Sequence, residues 1–449
     1  MSVPPTAFFV SYAFPPNGGS GVQRVFKFVK YLPGYGVPAS VLTAKAVFKT
    51  TSDSTLLGDL DPATTIVRAT SLDPMFVADL VSKGMSDKAK AKRPGAPATD
   101  GFKPSLMQSV TQFAFPILLK IRNLVRLPDQ YIGWFPFAFL AGRKHLKTLQ
   151  NPVIIASLPV YTPALVAYAL SRLTGAPMML DFRDGWSDDP YLELPTRFHR
   201  WFHASLERRI VRHAKHLIVY GEWLENVYRE KYPDTPCTVI LNGYDVDDFS
   251  VGALPERDVT KIKLAYSGTV FQYHREFIEM VFQGVAGLSD SVRDRVEVSF
   301  AGDIQLTTFD QLVDQYGLNQ QVKRLGYIAH KEAIKLLLTA DALLFTIPRG
   351  DVSSYTSKVF EYLAAGRPII SFVCEEGSGA RLLKDFGHGP WLIDYDVART
   401  REVFDSLPSM GEIALDYKPE TLARIDRKKQ ALALSMIIKD VAVQGHVAA

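Results

Sequence analysis

The chain has 449 residues, of which 47% are hydrophobic and 22% are charged, as in an ordinary globular protein. This length predicts two or three domains, and a net charge of only +4 argues against a nucleic-acid partner. The two cysteines, Cys237 and Cys374, exclude a disulfide scaffold and a cysteine zinc site and favour a reducing cytosol.

The N-terminal residues have no basic region and no long apolar core, so they predict a first strand rather than a signal peptide. No stretch approaches the roughly 20 apolar residues that a membrane-spanning helix needs. Residues 83–126 break the pattern of the rest: 83–103 are rich in Lys, Ala, Pro and Gly, and 113–126 are apolar and basic. This insertion is interpreted either as a solvated, mobile loop or as an acceptor-side or membrane-surface element that anionic lipid attracts.

Short apolar strands alternate with helical patterns, such as 22–31 and 163–173, through most of the chain. The predicted strands are 7–12, 39–43, 153–156, 178–181 and 216–219, followed by 263–266, 295–300, 322–325, 342–345 and 369–373. This alternation is typical of βαβ units and parallel sheets. We therefore expect an α/β fold with two doubly wound, Rossmann-like domains. Asn242-Gly243 is a turn signal near their boundary and precedes a polar linker at 247–260, which gives domains at 1–247 and 248–418 and a helical segment at 419–449.

Two loops of the first domain carry candidate binding residues. In 12–24, YAFPPNGGSGVQR, the glycines let the backbone approach a ligand, and the amides of the next helix favour an anion. Its spacing is not G-x-G-x-x-G, which disfavours a dinucleotide-dependent oxidoreductase; a glycine turn needed only for packing is the alternative. In 181–186, DFRDGW, two acids and an arginine follow a strand, where α/β proteins bind ligands. An internal Arg–Asp pair that orders this loop is the alternative.

The second domain contains two further motifs. In 266–276, YSGTVFQYHRE, Ser267-Gly268 opens a loop, and Arg275 is a candidate for phosphate binding or a solvated helix charge. Residues 357–373, SKVFEYLAAGRPIISFV, predict a helix that Ser357 caps and Gly366 ends, followed by a buried strand. Glu361 suits hydrogen bonds to vicinal hydroxyls such as those of a ribose. The amides at the helix start suit phosphate, and Lys358 is a second candidate cation.

The last stretch resembles the C-terminal signature of glycosyltransferase family 4, which has the GT-B fold, and especially a subgroup that reads S-K-x-x-E-Y-x-A-x-G-x-P. PPNGG and GVQR in the first loop, PDQYIGW at 128–134, SLPVYTP at 157–163 and DFRDGW also resemble that subgroup. The chain departs from the family in four places. Ser353 stands where the first signature glutamate falls, Thr269 replaces an arginine, His274 falls at a lysine position, and 157–163 lack a histidine.

The resemblance implies two Rossmann-like domains facing each other across a cleft, with the C-terminal helical segment packing back toward the first domain. The loops 300–303 and 326–330 would contact the nucleobase, and His330 is expected as a helix N-terminal residue rather than a catalyst. Arg24 is either an acceptor contact or a cap on the outer face of the first helix. The implied donor-binding residues are Gly18, Gly19, Gly268, Thr269, Arg275, Tyr327, Ser357, Lys358 and Glu361. The implied acceptor-binding residues are Arg24, Asp181, Trp186 and Tyr161, and Arg183 and Asp184 are the implied catalytic residues.

The resemblance further implies a cytoplasmic, retaining glycosyltransferase of bacterial polysaccharide or other glycoconjugate synthesis. It would use a UDP, GDP or dTDP sugar as co-substrate, with no permanently bound cofactor and no metal. A sugar, a lipid-linked molecule or a small molecule would be the acceptor, with peripheral association at the inner face of the membrane as an option. A pseudo-glycosyltransferase, a nucleotide-sugar epimerase and a non-catalytic nucleotide-binding scaffold remain as alternatives.

Overall fold

The structure, a computed structural model, describes residues 3–17, 20–45, 55–72, 127–189, 192, 194–353, 356–415 and 417–447. The predicted insertion at 83–126, Gly18 and Gly19 lie outside the described residues. The chain divides into two compact units, Met1–Ile240 with Ala431–Ala449, and Leu241–Gln430.

The first unit is built on a parallel sheet of seven described strands, because short apolar segments alternate with helices that cover both faces. The sheet order is β3-β2-β1-β4-β5-β6-β7. The strands are β1 Thr6–Val10, β2 Ala39–Ala44, β3 Thr65–Ala69, β4 Pro152–Leu158, β5 Met178–Phe182, β6 His216–Val219 and β7 Cys237–Val239. The helices are α1 Ser20–Tyr31, α2 Phe135–Leu146, α3 Thr162–Thr174, α4 Arg197–Val211 and α5 Glu222–Lys231.

The second unit repeats the plan with six described parallel strands in the order β10-β9-β8-β11-β12-β13. These are β8 Ile262–Ser267, β9 Val296–Ala301, β10 Val322–Gly326, β11 Ala342–Thr346, β12 Ile369–Phe372 and β13 Leu392–Ile393. Its helices are α6 Arg275–Ala286, α7 Asp290–Arg293, α8 Phe309–Gln315, α9 His330–Thr339, α10 Lys358–Ala364, α11 Ser378–Asp385, α12 Val397–Asp405, α13 Leu407–Met410 and α14 Pro419–Ala423. A last helix, α15 Arg427–Val447, begins in the second unit and ends in the first.

Short 3₁₀ helices complete the described elements at Leu32–Tyr35, Thr55–Asp59, Ile132–Trp134, Val246–Phe249, Gln272–His274 and Gly389–Trp391. All ten predicted strands are present, and the α/β class with two doubly wound sheets is confirmed. The strands that the sequence analysis missed, β3, β7 and β13, all lie at sheet edges. Edge strands bury less apolar surface than central ones, so their sequence signal is weaker.

Each unit has its own apolar core. In the first, side chains of β1, β2 and α1 pack with the C-terminal residues Leu434, Ile438 and Val441 of α15. In the second, β8, β9 and α6 pack with Phe309, Phe372 and Phe404. Each sheet therefore holds its central strands rigidly, and the loops at their carboxyl ends take defined positions.

The strand order reverses between β1 and β4 in the first sheet and between β8 and β11 in the second. In open parallel sheets, ligands bind beyond the carboxyl ends of the strands at such a reversal, because neighbouring loops diverge there and leave a crevice. The loops after β1 and β4, and those after β8 and β11, are thus the places where the fold itself favours a site.

The stretch 357–373 folds largely as expected. Helix α10 is followed by Gly366, whose φ of 65° is left-handed and costs little for glycine, and then by the fully buried strand β12. One detail of the expectation is wrong. Ser357 stands at the N-cap position, but it has helical backbone angles and its side chain makes no capping hydrogen bond.

The described residues lack two kinds of feature. No helix in that part of the chain is long and apolar enough to cross a membrane. Within the same ranges, no three His, Cys, Asp or Glu side chains are grouped so that they could hold a metal ion.

Candidate active site

Gly268 begins the loop that follows β8, at the reversal point of the second sheet. Its φ is 144°, a region that favours glycine, and its N–H donates to the carbonyl of Ala301 at 2.6 Å. A Cβ built on Gly268 would lie 1.5 Å from Nζ of Lys358. The ammonium group of Lys358 therefore rests directly against this loop, in space that any other residue at 268 would fill.

Lys358 is the first residue of α10, which follows β11 across the reversal point. Its Nζ lies 5.4 Å from the centre of the Tyr266 ring, a cation–π distance. Burial lowers the pKa of Lys358 to about 8, and the nearby Glu361 carboxylate opposes that shift. A half-buried ammonium group beside an open glycine loop is suited to bind phosphate oxygens.

Glu361 lies one turn further along α10 and leaves 33% of its side-chain surface open. Its Oε1 is 3.9 Å from Nε2 of His330, which is itself 3.6 Å from Oδ2 of Asp248. Partial burial raises the pKa of Glu361. The negative charge of Asp248 adds to this rise, and the positive charges of His330 and Lys358 oppose it. Its carboxylate oxygens can accept hydrogen bonds from vicinal hydroxyls. His330 begins α9, where the sequence analysis expected a helix N-terminal residue.

The remaining donor-side predictions fall in different surroundings. Thr269 is half-buried, and its carbonyl accepts from the hydroxyl of Tyr266 at 3.2 Å. Tyr327 is 82% exposed in the loop after β10. Arg275 pairs with Glu279 at 2.9 Å one turn along α6, with more than half of its side chain in solvent. That pairing favours the surface role for Arg275, whereas the ammonium group of Lys358 lies against the loop.

His274, which falls at the family's lysine position, does not replace that cation. Its Nδ1 accepts from the backbone N–H of Phe271 at 3.2 Å, and the side chain is buried. Burial, together with the positive charge of Lys358, lowers the pKa of His274 to about 4. The ring is therefore neutral at pH 7 and holds the loop instead of binding an anion.

In the first unit, a buried ion pair joins α1 to the end of β5. Nε and Nη2 of Arg24 donate to Asp181 at 2.9 and 2.8 Å, and Ser157 of β4 donates to the same carboxylate at 3.0 Å. Arg24 is 0% exposed, so the interpretation that it caps the outer face of α1 is wrong. With Asp181 equally buried, both side chains position the loops of the reversal point through the interior.

Arg183 follows β5, and among the described residues it forms an ion pair with neither Asp181 nor Asp184. The alternative interpretation, an internal Arg–Asp pair that orders this loop, is therefore wrong. Its Nε donates to the carbonyl of Leu158 at 2.9 Å and its Nη2 to that of Pro159 at 2.7 Å. A Cβ on Gly21 would lie 2.0 Å from Nη1 of Arg183. The guanidinium thus bridges the loop after β4 and the start of α1, and Gly21 provides the space for it.

Asp184 is the next residue, and its side chain is exposed. Desolvation by the neighbouring residues nevertheless raises the pKa of Asp184 to about 6. The positive charge of Arg183 opposes this rise, and the negative charge of Asp189 adds to it. Because the Asp184 side chain is exposed, solvent screens its carboxylate from these charges. An exposed carboxylate beside a fixed guanidinium can accept a proton or a hydrogen bond from a hydroxyl.

Trp186 and Tyr161 are buried and stack on each other, with ring centres 4.7 Å apart. The indole N–H of Trp186 donates to Nδ1 of His203 at 3.1 Å, so the neutral ring of His203 carries its proton on Nε2. Tyr161, His203 and His199 help to line a cavity of about 660 Å³. This volume is within the usual range for a small-molecule pocket.

Asp129 belongs to the same cavity and was not singled out from the sequence. Its carboxylate accepts from the backbone N–H groups of Tyr161 and Thr162 at 2.6 and 2.8 Å, and from the Thr162 hydroxyl at 2.7 Å. It therefore caps the start of α3. Asp129 lies in the motif PDQYIGW, which the sequence analysis quoted. Its role as a cap could not be predicted from that motif, because the helix that it caps begins far away in the sequence.

Comparisons with known proteins agree with this architecture. Residues 110–243 match the family model of the glycosyl transferase 4-like domain, whereas no curated protein matches the chain. The structure is similar to that of a sucrose-phosphate synthase from Thermosynechococcus elongatus, with a TM-score of 0.56, 13% identity, and 98% of this chain and 100% of that chain covered.

Two further solved structures are similar over nearly their whole length. One is S. aureus TarM in a complex that contains UDP, with a TM-score of 0.52, 11% identity and 99% of both chains covered. The other is the lipopolysaccharide outer core galactosyltransferase WaaB, with a TM-score of 0.53, 13% identity, and 96% of this chain and 99% of that chain covered. At such identities the similarity establishes the fold. The chain therefore has the GT-B fold, as the resemblance of its motifs predicted.

Proposed function

We propose that this protein is a glycosyltransferase that transfers a sugar from a nucleoside-diphosphate sugar to an acceptor hydroxyl, with retention of anomeric configuration and without a metal ion. The observation that carries the proposal is the placement of Lys358 against Gly268 with Glu361 one turn away on α10. A cation beside an open glycine loop and a carboxylate at the same reversal point match a diphosphate followed by a ribose.

In this proposal, Lys358 and the backbone of the Gly268 loop hold the diphosphate, and Glu361 accepts hydrogen bonds from the ribose hydroxyls. The bond between the anomeric carbon and the leaving phosphate oxygen breaks, and the acceptor oxygen bonds to the same face of that carbon. The acceptor proton passes to the leaving phosphate. Lys358 stabilises the charge that develops on the leaving group, which is where a fixed cation accelerates such a reaction most.

Arg183 and Asp184 serve the acceptor in this scheme. The two carbonyl contacts of Arg183 fix the loop in which Asp184 stands exposed, so a hydroxyl can be held there by its carboxylate. Arg24, Asp181 and Trp186 act through positioning, because they are buried and joined to other side chains. The similarity to WaaB, a lipopolysaccharide outer core galactosyltransferase, supports a role in bacterial glycoconjugate synthesis, which we place at the cytoplasmic side of the membrane.

The first test is thermal stabilisation of the whole protein by UDP, GDP, dTDP, CMP and NAD⁺. A ligand at about 100 times its dissociation constant stabilises the folded state by about 2.7 kcal/mol. We expect one nucleoside diphosphate to stabilise the protein and Glu361→Ala to weaken that binding. Stabilisation by NAD⁺ instead, or unchanged nucleotide affinity in a folded Glu361→Ala protein, would contradict the proposal. Interconversion of a nucleotide sugar without any acceptor would identify an epimerase.

A further inference from the structure

Helix α4 presents two chemically different faces. It starts at the N-cap Thr196, whose hydroxyl accepts from the backbone N–H of His199, and its buried face carries His199, His203 and Glu207. The opposite face exposes two large aromatic side chains, Phe198 at 55% and Trp201 at 63%. They lie three residues apart, so they are neighbours on the helix surface, with ring centres 5.8 Å apart.

The charged residues on the exposed side of α4 are all basic. Arg197, Arg200, Arg208 and Arg209 are exposed, and within the described part of the chain none of them forms an ion pair with a carboxylate. The helix has a single acid, Glu207, which is buried and accepts from the backbone N–H of Ser187 and from Lys231. The exposed side therefore combines two aromatic rings with four positive charges that no acid of the helix offsets.

This combination fits the interface of a bilayer with anionic lipids. Amphipathic rings such as that of Trp are favoured at the level of the headgroups, and arginines beside them attract lipid phosphates. Adjacent exposed aromatic side chains form a contiguous apolar patch, and such patches mark interaction surfaces more often than single exposed residues do. A negatively charged lipid surface would cover the rings at the level of its headgroups and attract the four arginines.

We propose that the exposed side of α4, through Phe198, Trp201 and its four arginines, docks on an anionic lipid surface. The buried side of the same helix lines the 660 Å³ cavity through His199 and His203, next to the stacked Tyr161. Docking would hold this cavity beside the membrane. If the proposed function holds, on which this last step rests, the acceptor is a lipid-borne hydroxyl compound.

The test is co-sedimentation of the full-length protein with vesicles of phosphatidylcholine alone and of phosphatidylcholine mixed with phosphatidylglycerol. We expect binding to the anionic vesicles only. Arg208→Ser/Arg209→Ser should lower the partition coefficient about 25-fold, at about fivefold for each basic residue near the surface. Phe198→Ser/Trp201→Ser should lower it at least about tenfold. The controls, which should bind like the wild type, are Leu140→Ser/Leu173→Ser for exposed apolar surface and Lys261→Ser/Arg401→Ser for charge.

Three results would overturn the docking proposal: equal binding to both kinds of vesicle, equal losses in the controls, or variants that bind vesicles normally but lose self-association in light scattering. Each variant is also tested for thermal stabilisation by the active nucleotide. If the protein binds anionic vesicles but no nucleotide stabilises the wild type or any variant, the proposed function is rejected and the docking proposal is kept. Nucleotide stabilisation without vesicle binding would reject the lipid surface alone.

Discussion

At the scale of single residues, Gly268 is the position that tests where the ammonium group of Lys358 must lie. Gly268→Ala places a Cβ 1.5 Å from Nζ of Lys358, so the ammonium must move away from the loop. Loss of a charged hydrogen bond costs about 1.5–3 kcal/mol, so we expect nucleoside-diphosphate affinity to fall by about 10- to 150-fold, measured by isothermal titration calorimetry.

The matched control for this substitution is Gly317→Ala. Gly317 also has a left-handed φ, 67°, but a Cβ there meets nothing within 4 Å. Both variants introduce backbone strain of about 1–3 kcal/mol, and both should therefore lose some stability. Only Gly268→Ala should lose nucleotide affinity. Equal affinities in the two variants would show that Lys358 does not bind the diphosphate.

Lys358 also predicts how binding depends on pH. Its pKa is lowered to about 8 by burial, so above pH 8 the nucleotide-free protein loses the charge that attracts the diphosphate. We expect affinity to fall by about tenfold for each pH unit above that value. Lys358→Arg should shift this fall to higher pH, because a guanidinium stays charged. A Lys358→Met protein that binds tightly with the wild-type pH profile would contradict this role.

The lowered pKa of Lys358 affects nucleotide affinity and stability in opposite directions as the pH rises. Above pH 8 the folded protein has released the proton of Lys358, whereas the unfolded chain keeps it up to about the ordinary value of 10.5. The unfolded state thus binds more protons in this window, and the contribution of Lys358 to stability rises with pH. At pH 7 the half-buried charge is destabilising, so Lys358→Met should melt at a higher temperature than the wild type when no nucleotide is present.

At the scale of secondary-structure elements, α15 tests how the first unit is completed. Leu434 and Ile438 are 0% exposed and pack into the core that contains β1 and α1. Leu434→Ala should destabilise the first unit by about 2–5 kcal/mol, because it leaves a cavity in a close-packed core. Hydrogen exchange of the amides of β1 measures that loss directly.

Met436 provides the control on the same helix, since it is 55% exposed. Met436→Ala should change stability by less than about 0.5 kcal/mol. If exchange in β1 is equally fast in both variants, α15 contributes little to that core.

The elements show which features could be predicted from the sequence. Central strands such as β4 and β11 are continuous apolar runs, because helices cover both of their faces, and that pattern is readable. The stop at Gly366 could be predicted because it depends on neighbouring residues alone. The side-chain cap expected at Ser357 could not be judged locally, since it depends on backbone angles that the surrounding loop sets.

The candidate site shows the same limit for contacts between distant segments. That Lys358 and Glu361 share a helix follows from their spacing. That Lys358 lies against Gly268, that Asp181 pairs with Arg24 rather than Arg183, and that Asp129 caps α3 all depend on which loops the sheet brings together. Family resemblance pointed to loops that lie at the reversal points of the two sheets, but the partner of each charged group required the fold.

At the scale of the whole molecule, the proposed roles predict where a nucleotide protects the chain from hydrogen exchange. The loops that begin at Gly268, Gly302 and Tyr327 and the residues before α10 follow β8, β9, β10 and β11, at the same edge of one sheet. We expect the active nucleoside diphosphate to slow exchange in these four segments, by up to about 100-fold at 100 times its dissociation constant. Segments at the amino-terminal ends of the strands, such as 316–321, should show unchanged exchange. Protection confined to the loops after β1 and β4 would instead place the nucleotide on the first unit, and Lys358 and Glu361 would then lose their proposed roles.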